Sequence, residues 1–201
     1  MGEINKDQVV YRNTAAQGDI IYVTGDLGAA YMGLLLLERE KHVYKSNPEM
    51  QPDLEGRDYL LERQLKPEPR LAQINLLRKN GIKPTAMIDI SDGLASEIIH
   101  ICKQSGVGAQ IYEDKIPLDA MTVSVAEEFS ILPAVAALSG GEDYELLFTI
   151  HQNDYEKIKN LKDFTPIGHI TDKHSGINLV GKNGEMVPIK AQGWDAFKEN
   201  D

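Results

Sequence analysis

Two stretches of this chain follow one local plan: a short, largely apolar run, a glycine turn, and then apolar residues at helical spacing. Asp19 to Thr24 (DIIYVT) is followed by Gly25 and by an apolar helical pattern over Gly28 to Arg39. Ala86 to Ile90 (AMIDI) is followed by Gly93 and by Leu94, Ile98, Ile101 and Cys102 on one helical face. Apolar runs this short, bounded by glycine, read as buried strands. A buried strand needs a sheet, and the helix after it has one apolar stripe to lay against that sheet. The plan predicts an α/β layer fold, and it argues against an all-helical bundle.

The remaining punctuation extends the pattern. Pro48 and Pro52 mark Tyr44 to Leu54 as a loop, and a short helix over Gly56 to Leu65 is stopped by Pro67 and Pro69. Leu71, Ile74 and Leu77 share one face of a helix that Gly81 can end. Ala109 to Tyr112 is a strand, Asp119 to Glu128 and Pro133 to Leu138 are helices, and Gly140 and Gly141 break the second. Tyr144 to Ile150 alternates as a strand does. Asn153 with Glu156 resembles a capping box and predicts a helix from there to Phe164. Ile177 to Ile189 reads as a hairpin turning at Gly181 to Gly184. The tally is about six strands and six helices.

Composition narrows the function classes. The 201 residues are 42% apolar, enough for one well-buried core or two small ones. With 21 Lys and Arg against 31 Asp and Glu, the net charge of −10 would repel a phosphate backbone, so no nucleic-acid partner is expected. The longest apolar stretch, Ala29 to Leu37, is well short of the roughly 20 residues a membrane helix needs. No membrane partner is expected either. Cys102 is the single cysteine, and the start Met-Gly-Glu-Ile-Asn-Lys has no signal-like pattern, so a cytoplasmic location is expected. His42, His100, His151, His169 and His174 lie in no zinc-ligand spacing, and no serine sits in a G-x-S-x-G elbow.

Two clusters carry the chemistry. Asp89, Ser91 and Asp92 (D-I-S-D-G) place two carboxylates and a hydroxyl between a strand end and a helix start. Hard oxygen donors beside free helix amides suit Mg²⁺ and a phosphate together. The same residues allow a plainer account, in which Ser91 or Asp92 caps the helix and Asp89 bonds a nearby turn. Gly140 to Glu145 (G-G-E-D-Y-E) lets a ligand or backbone approach the glycines and could hold a cation; a tight turn with solvated acids is the alternative. Gly25 to Gly33 (G-D-L-G-A-A-Y-M-G) matches neither nucleotide-loop fingerprint and reads as a helix-packing turn. Arg12 and Trp194, taken alone, read as surface or partly buried residues.

Together these motifs resemble a known family. P-x-P-R at Pro67 to Arg70, I-D-I-S-D-G-L at Ile88 to Leu94 and S-G-G-E-D-Y-E-L-L-F-T at Ser139 to Thr149 are similar to those of thiamine-monophosphate kinases. The opening R-N-T-A-A-Q-G-D-I-I-Y-V-T-G, from Arg12 to Gly25, agrees in order and spacing. These kinases belong to the aminoimidazole ribonucleotide synthetase superfamily, and the resemblance implies the α/β (α+β) fold of that superfamily's C-terminal domain, a mixed β-sheet flanked by helices. It divides the chain into an interdomain linker and lead-in segment at 1–18 and a C-terminal kinase domain at 19–201. An N-terminal metal- and ATP-binding domain, through which the intact protein forms a homodimer, is expected to be missing.

The implied reaction is transfer of the γ-phosphoryl of ATP to thiamine monophosphate, giving thiamine diphosphate. By the same resemblance Asp89 and Asp92 are Mg²⁺ ligands, Arg12 and Ser91 contact ATP, and Glu142 and Trp194 contact the thiamine substrate. Little or no general base is needed, because a phosphate monoester is largely dianionic near neutral pH. Two other readings stand beside this one: a different ATP-dependent synthetase of the superfamily, and a folded fragment that is noncatalytic by itself.

Overall fold

The structure is a computed structural model that describes residues 3–190; Trp194 lies outside the described residues. One sheet of seven strands organises it: β1 (Ile20–Thr24), β2 (Ala86–Asp89), β3 (Gly108–Tyr112), β4 (Leu146–Ile150), β5 (Phe164–Thr171), β6 (Ile177–Val180) and β7 (Met186–Pro188). Their order is β2-β4-β1-β5-β3-β6-β7, antiparallel throughout except for the parallel β3–β6 pair. Seven α-helices flank the sheet: α1 (Ala29–Ser46), α2 (Asp58–Leu65), α3 (Leu71–Lys79), α4 (Leu94–Ser105), α5 (Ala120–Glu128), α6 (Pro133–Ser139) and α7 (Tyr155–Ile158). No single helix among the described residues is long and apolar enough to cross a membrane.

Strand periodicity decides which core each side chain joins. On β1, Ile21 and Val23 enter the core shared with Leu94, Ile98 and Ile101 of α4, while Tyr22 points into the opposite one. Leu147 and Phe148 of β4 divide in the same way. The opposite core holds Leu77 of α3, Ile158 of α7 and the stacked rings of Tyr22 and Phe148, whose centroids are 5.7 Å apart. A third cluster joins Met32 and Leu36 of α1 to Leu60 of α2 and Val125 and Ala136 of α5 and α6. Gly28, in the left-handed region, opens α1, and a Cβ there would lie 3.0 Å from the backbone between Ala136 and Ala137, so its expected helix-packing turn is present.

The chain departs from expectation chiefly after Gln152. The helix predicted from Asn153 to Phe164 is only the four residues of α7, and no capping box forms; His151 accepts the Asn153 amide through its ring instead. The strand β5 begins at Phe164, where no strand was expected, and it contains Pro166, which cannot donate a ladder hydrogen bond. β3 covers β5 only from Gly168 to Thr171, so Pro166 lies beyond that ladder, and β1 passes it at a register shift between Ile21 and Tyr22. The shift also puts Ile167 and Ile170, three residues apart, into one core. Tyr144, expected to begin β4, has φ of 51° and precedes the strand.

Candidate functional site

The site follows from strand pairing. β4 runs antiparallel to β2 with Asp89 opposite Leu146, so the residues that leave β2 must lie beside those that enter β4. Three backbone hydrogen bonds join the two motifs. Ile90 N–H donates to Glu145 O (2.8 Å), Tyr144 N–H to Ile90 O (2.9 Å) and Glu142 N–H to Ser91 O (2.8 Å). Gly141 makes this closeness possible: its φ is 72°, and a Cβ there would stand 2.6 Å from Ser91 O.

The two acidic motifs divide into an exposed set and a buried set. Asp89, Asp92 and Glu142 are exposed and Ser91 is half-buried. The Asp89, Ser91 and Asp92 side chains take part in no hydrogen bond among the described residues. The account in which Ser91 or Asp92 caps α4 therefore fails, since the cap is Gly93, without a side-chain bond. The Tyr144 phenol, 37% exposed, is pushed above its ordinary pKa first by the Glu142 carboxylate beside it and then by burial, with Asp89 and Asp92 adding to the field. These acids thus share one exposed edge of the sheet.

Asp143 and Glu145 face inward and do structural work. Asp143 accepts the Gly28 amide at 2.7 Å and the Ala30 amide at 3.3 Å, where the start of α1 favours a negative charge. Burial nevertheless pushes its carboxyl up to about 6, against the pull of those amides and of Arg63, which stands 3.7 Å away. Glu145 accepts Arg63 Nη1 at 2.8 Å, Arg70 Nη2 at 2.6 Å and Thr24 Oγ1 at 2.5 Å. Beside this network lies a 570 Å³ pocket that includes Asp26, Tyr59, Lys66 and Gln73 in its wall. The Tyr59 hydroxyl donates to Asp26 at 2.6 to 2.7 Å, and burial raises the Asp26 carboxyl above its usual range.

Arg12 is not brought to this edge by its side chain. Its Nε donates to Gln104 Oε1 at 2.9 Å, near the end of α4, about 16 Å along the helix from its start. Sequence reasoning passed over Glu97, in the first turn of α4. It is 2% exposed, and burial pushes its carboxyl up to about 7 although it accepts the Asp92 amide. The signal was a charged residue three positions from Leu94 and four from Ile101, on the stripe predicted to be buried.

Asp89, Ser91 and Asp92 offer hard oxygen atoms with no internal partner, which fits the ligand preference of Mg²⁺. They form a partial set, because among the described residues no three His, Cys, Asp or Glu side chains are grouped so as to hold a metal ion. A complete site needs donors from water, a ligand's phosphates or further protein.

An α/β domain with an acidic edge of this kind is matched by one family over residues 16–179. The chain belongs to the family described as AIR synthase related protein, C-terminal domain. Among its relatives are thiamine-monophosphate kinases of Buchnera aphidicola from Acyrthosiphon pisum, 36% identical, and of Escherichia coli K12, 35% identical. Each similarity covers 98% of this chain and 58% of the relative, so the chain spans little more than half the length of these proteins. The structure of AaThiL complexed with AMPPCP and TMP superposes with a TM-score of 0.76 at 31% identity, over 94% of this chain and 54% of that one. Escherichia coli HypE, a hydrogenase maturation protein, has a TM-score of 0.67 at 20% identity, over 90% of this chain and 52% of that one, and shares the fold.

Proposed function

We propose that this chain is the C-terminal domain of an ATP-dependent kinase that converts thiamine monophosphate to thiamine diphosphate by direct, Mg²⁺-assisted phosphoryl transfer. The observation that carries this reading is the pairing of Asp89 with Leu146, which sets two unpartnered carboxylates and Glu142 side by side on one sheet edge. The names of the relatives, thiamine-monophosphate kinases at 30–36% identity, supply the substrate.

In this reading Asp89 and Asp92 hold Mg²⁺ from one side. When bound, the cation neutralises phosphate oxygens that would otherwise repel one another. Ser91 has a free hydroxyl between the two carboxylates for a nucleotide phosphate. Glu142, exposed and held in a left-handed conformation, presents a negative charge to the cationic thiazolium or the aminopyrimidine edge. Arg12 as an ATP contact and Trp194 against the thiamine rest on the motif resemblance. A further domain completes the metal set and the nucleotide pocket and makes the homodimer, so the chain alone is inactive.

The decisive experiment mixes the purified chain with ATP, Mg²⁺ and thiamine monophosphate, with and without the separately expressed N-terminal portion of the Escherichia coli relative. Thiamine diphosphate should form only in the mixture. Asp89→Asn or Asp92→Asn should lower its rate by about 10²–10³, the loss that follows removal of one preorganised electrostatic contact. Product from the chain alone overturns the claim of incompleteness, and wild-type rates in both variants overturn the metal assignment.

A further inference from the structure

The residues between β2 and α4 have their backbone polar groups tied to the segment before β4 at Ile90 and Ser91. Asp92 is treated differently. Its amide donates to a side chain, Oε1 of Glu97, at 3.2 Å. Glu97 reaches back from the first turn of α4 across Gly93, which has no side chain with which to cap the helix. A first-turn carboxylate that accepts an amide ahead of the helix satisfies a donor which the helix itself leaves unpaired.

Position 97 is a costly place for such a group. Leu94, Ile98 and Ile101 around it are fully buried, Glu97 is 2% exposed, and its Oε2 has no hydrogen-bond partner among the described residues. An apolar side chain would fill the space without that desolvation. The compensating contact is the Asp92 amide, whose own carboxylate stands on the exposed side of the same loop. Burial beneath and exposure above are thus joined by one hydrogen bond.

We propose that Glu97 is a positioning residue: by holding the Asp92 amide it fixes the turn that presents the Asp89 and Asp92 carboxylates as a pair. This rests on the reading above, in which that pair takes Mg²⁺. Glu97 touches neither the cation nor the substrates. What matters is an acceptor oxygen at Oε1, so Gln should serve in its place and an isosteric apolar side chain should not.

The test uses the full chain with Glu97→Gln and Glu97→Met, and reads two quantities by NMR. The first is hydrogen exchange of the Asp92 amide. The second is the Mn²⁺ concentration that half-broadens the amide signals of Asp89 to Gly93. Wild type and E97Q should protect the Asp92 amide alike and agree in Mn²⁺ response within about twofold. E97M should speed exchange and require about three- to tenfold more Mn²⁺, the range one hydrogen bond supports. An unprotected Asp92 amide in the wild-type chain overturns the proposal without any variant. Equal behaviour of E97M and wild type, or equal loss in E97Q and E97M, also overturns it. If Mn²⁺ broadens none of these signals in wild type, the metal reading falls, and amide exchange in E97M alone decides the role of Glu97.

Discussion

Within G-G-E-D-Y-E, adjacent residues have opposite tasks. Glu142 and Tyr144 take positive φ values of 63° and 51° and stay exposed, while Asp143 and Glu145 are each 1% exposed and fully bonded. Gly141 should not tolerate a side chain, because Gly141→Ala adds both left-handed strain and a contact with Ser91 O. A loss of about 1–3 kcal/mol is expected, read as a lowered melting temperature, and an unchanged one would contradict the packing described. Asp143 gives a pH signature. Its folded pKa of about 6 exceeds the ordinary 3.8, so the folded state holds the proton more tightly. Its contribution is fully present below the unfolded value and is lost as pH rises through about 6. Asp143→Asn should flatten the part of the urea-midpoint profile between these two values; an unaltered slope there would exclude Asp143 as its source.

That inward and outward division was only half legible from residue types. The motif announced a place where backbone comes close, and Gly141 is such a place. It could not say which acid faced solvent, because Glu142 and Tyr144 take positive φ in a turn that precedes β4, where no strand register fixes the facing, and composition does not encode that. Glu145 likewise reads as one more acid until its partners arrive from Arg63 and Arg70, more than seventy residues earlier in the chain.

Among elements, α2 and the P-x-P-R segment are fastened to the sheet through Glu145. Arg63 and Arg70 both bond it, with side chains only 11% and 17% exposed. Removing the carboxylate by Glu145→Ala strips Arg70 of its carboxylate partner and leaves Arg63 only the more distant Asp143, with both cations largely buried, at a cost of about 3–5 kcal/mol. By contrast, Asp154→Ala breaks the more exposed pair with Lys157 and should cost at most about 1 kcal/mol. Denaturant unfolding of the two variants measures the difference, and similar losses would refute the fastening role. Most elements were legible because each carries its own period and its own stop: β1, β2, α4 and the β6–β7 hairpin are in place. The strand β5 was not, since Pro166 is acceptable only where β3 ends short of it, a fact about a neighbour.

For the molecule as a whole, Cys102 reports on integrity. It is fully buried against the α4 face of the sheet, and burial pushes its thiol up to about 12. A thiol reagent at neutral pH should therefore modify it only as fast as the structure opens, with rates rising steeply near the denaturation midpoint. Fast modification under native conditions would show that this core is not closed.

The sequence by itself determined the local plan, strand then glycine then helix, and the two acidic motifs, because apolar period, turn chemistry and residue type act over a few neighbours. Tertiary structure alone decided that Asp89 lies across from Leu146 and that Glu142 faces outward with Asp89 and Asp92. Those outcomes depend on antiparallel pairing between strands more than fifty residues apart in the chain, and on the burial it creates, neither of which any short stretch of residues contains.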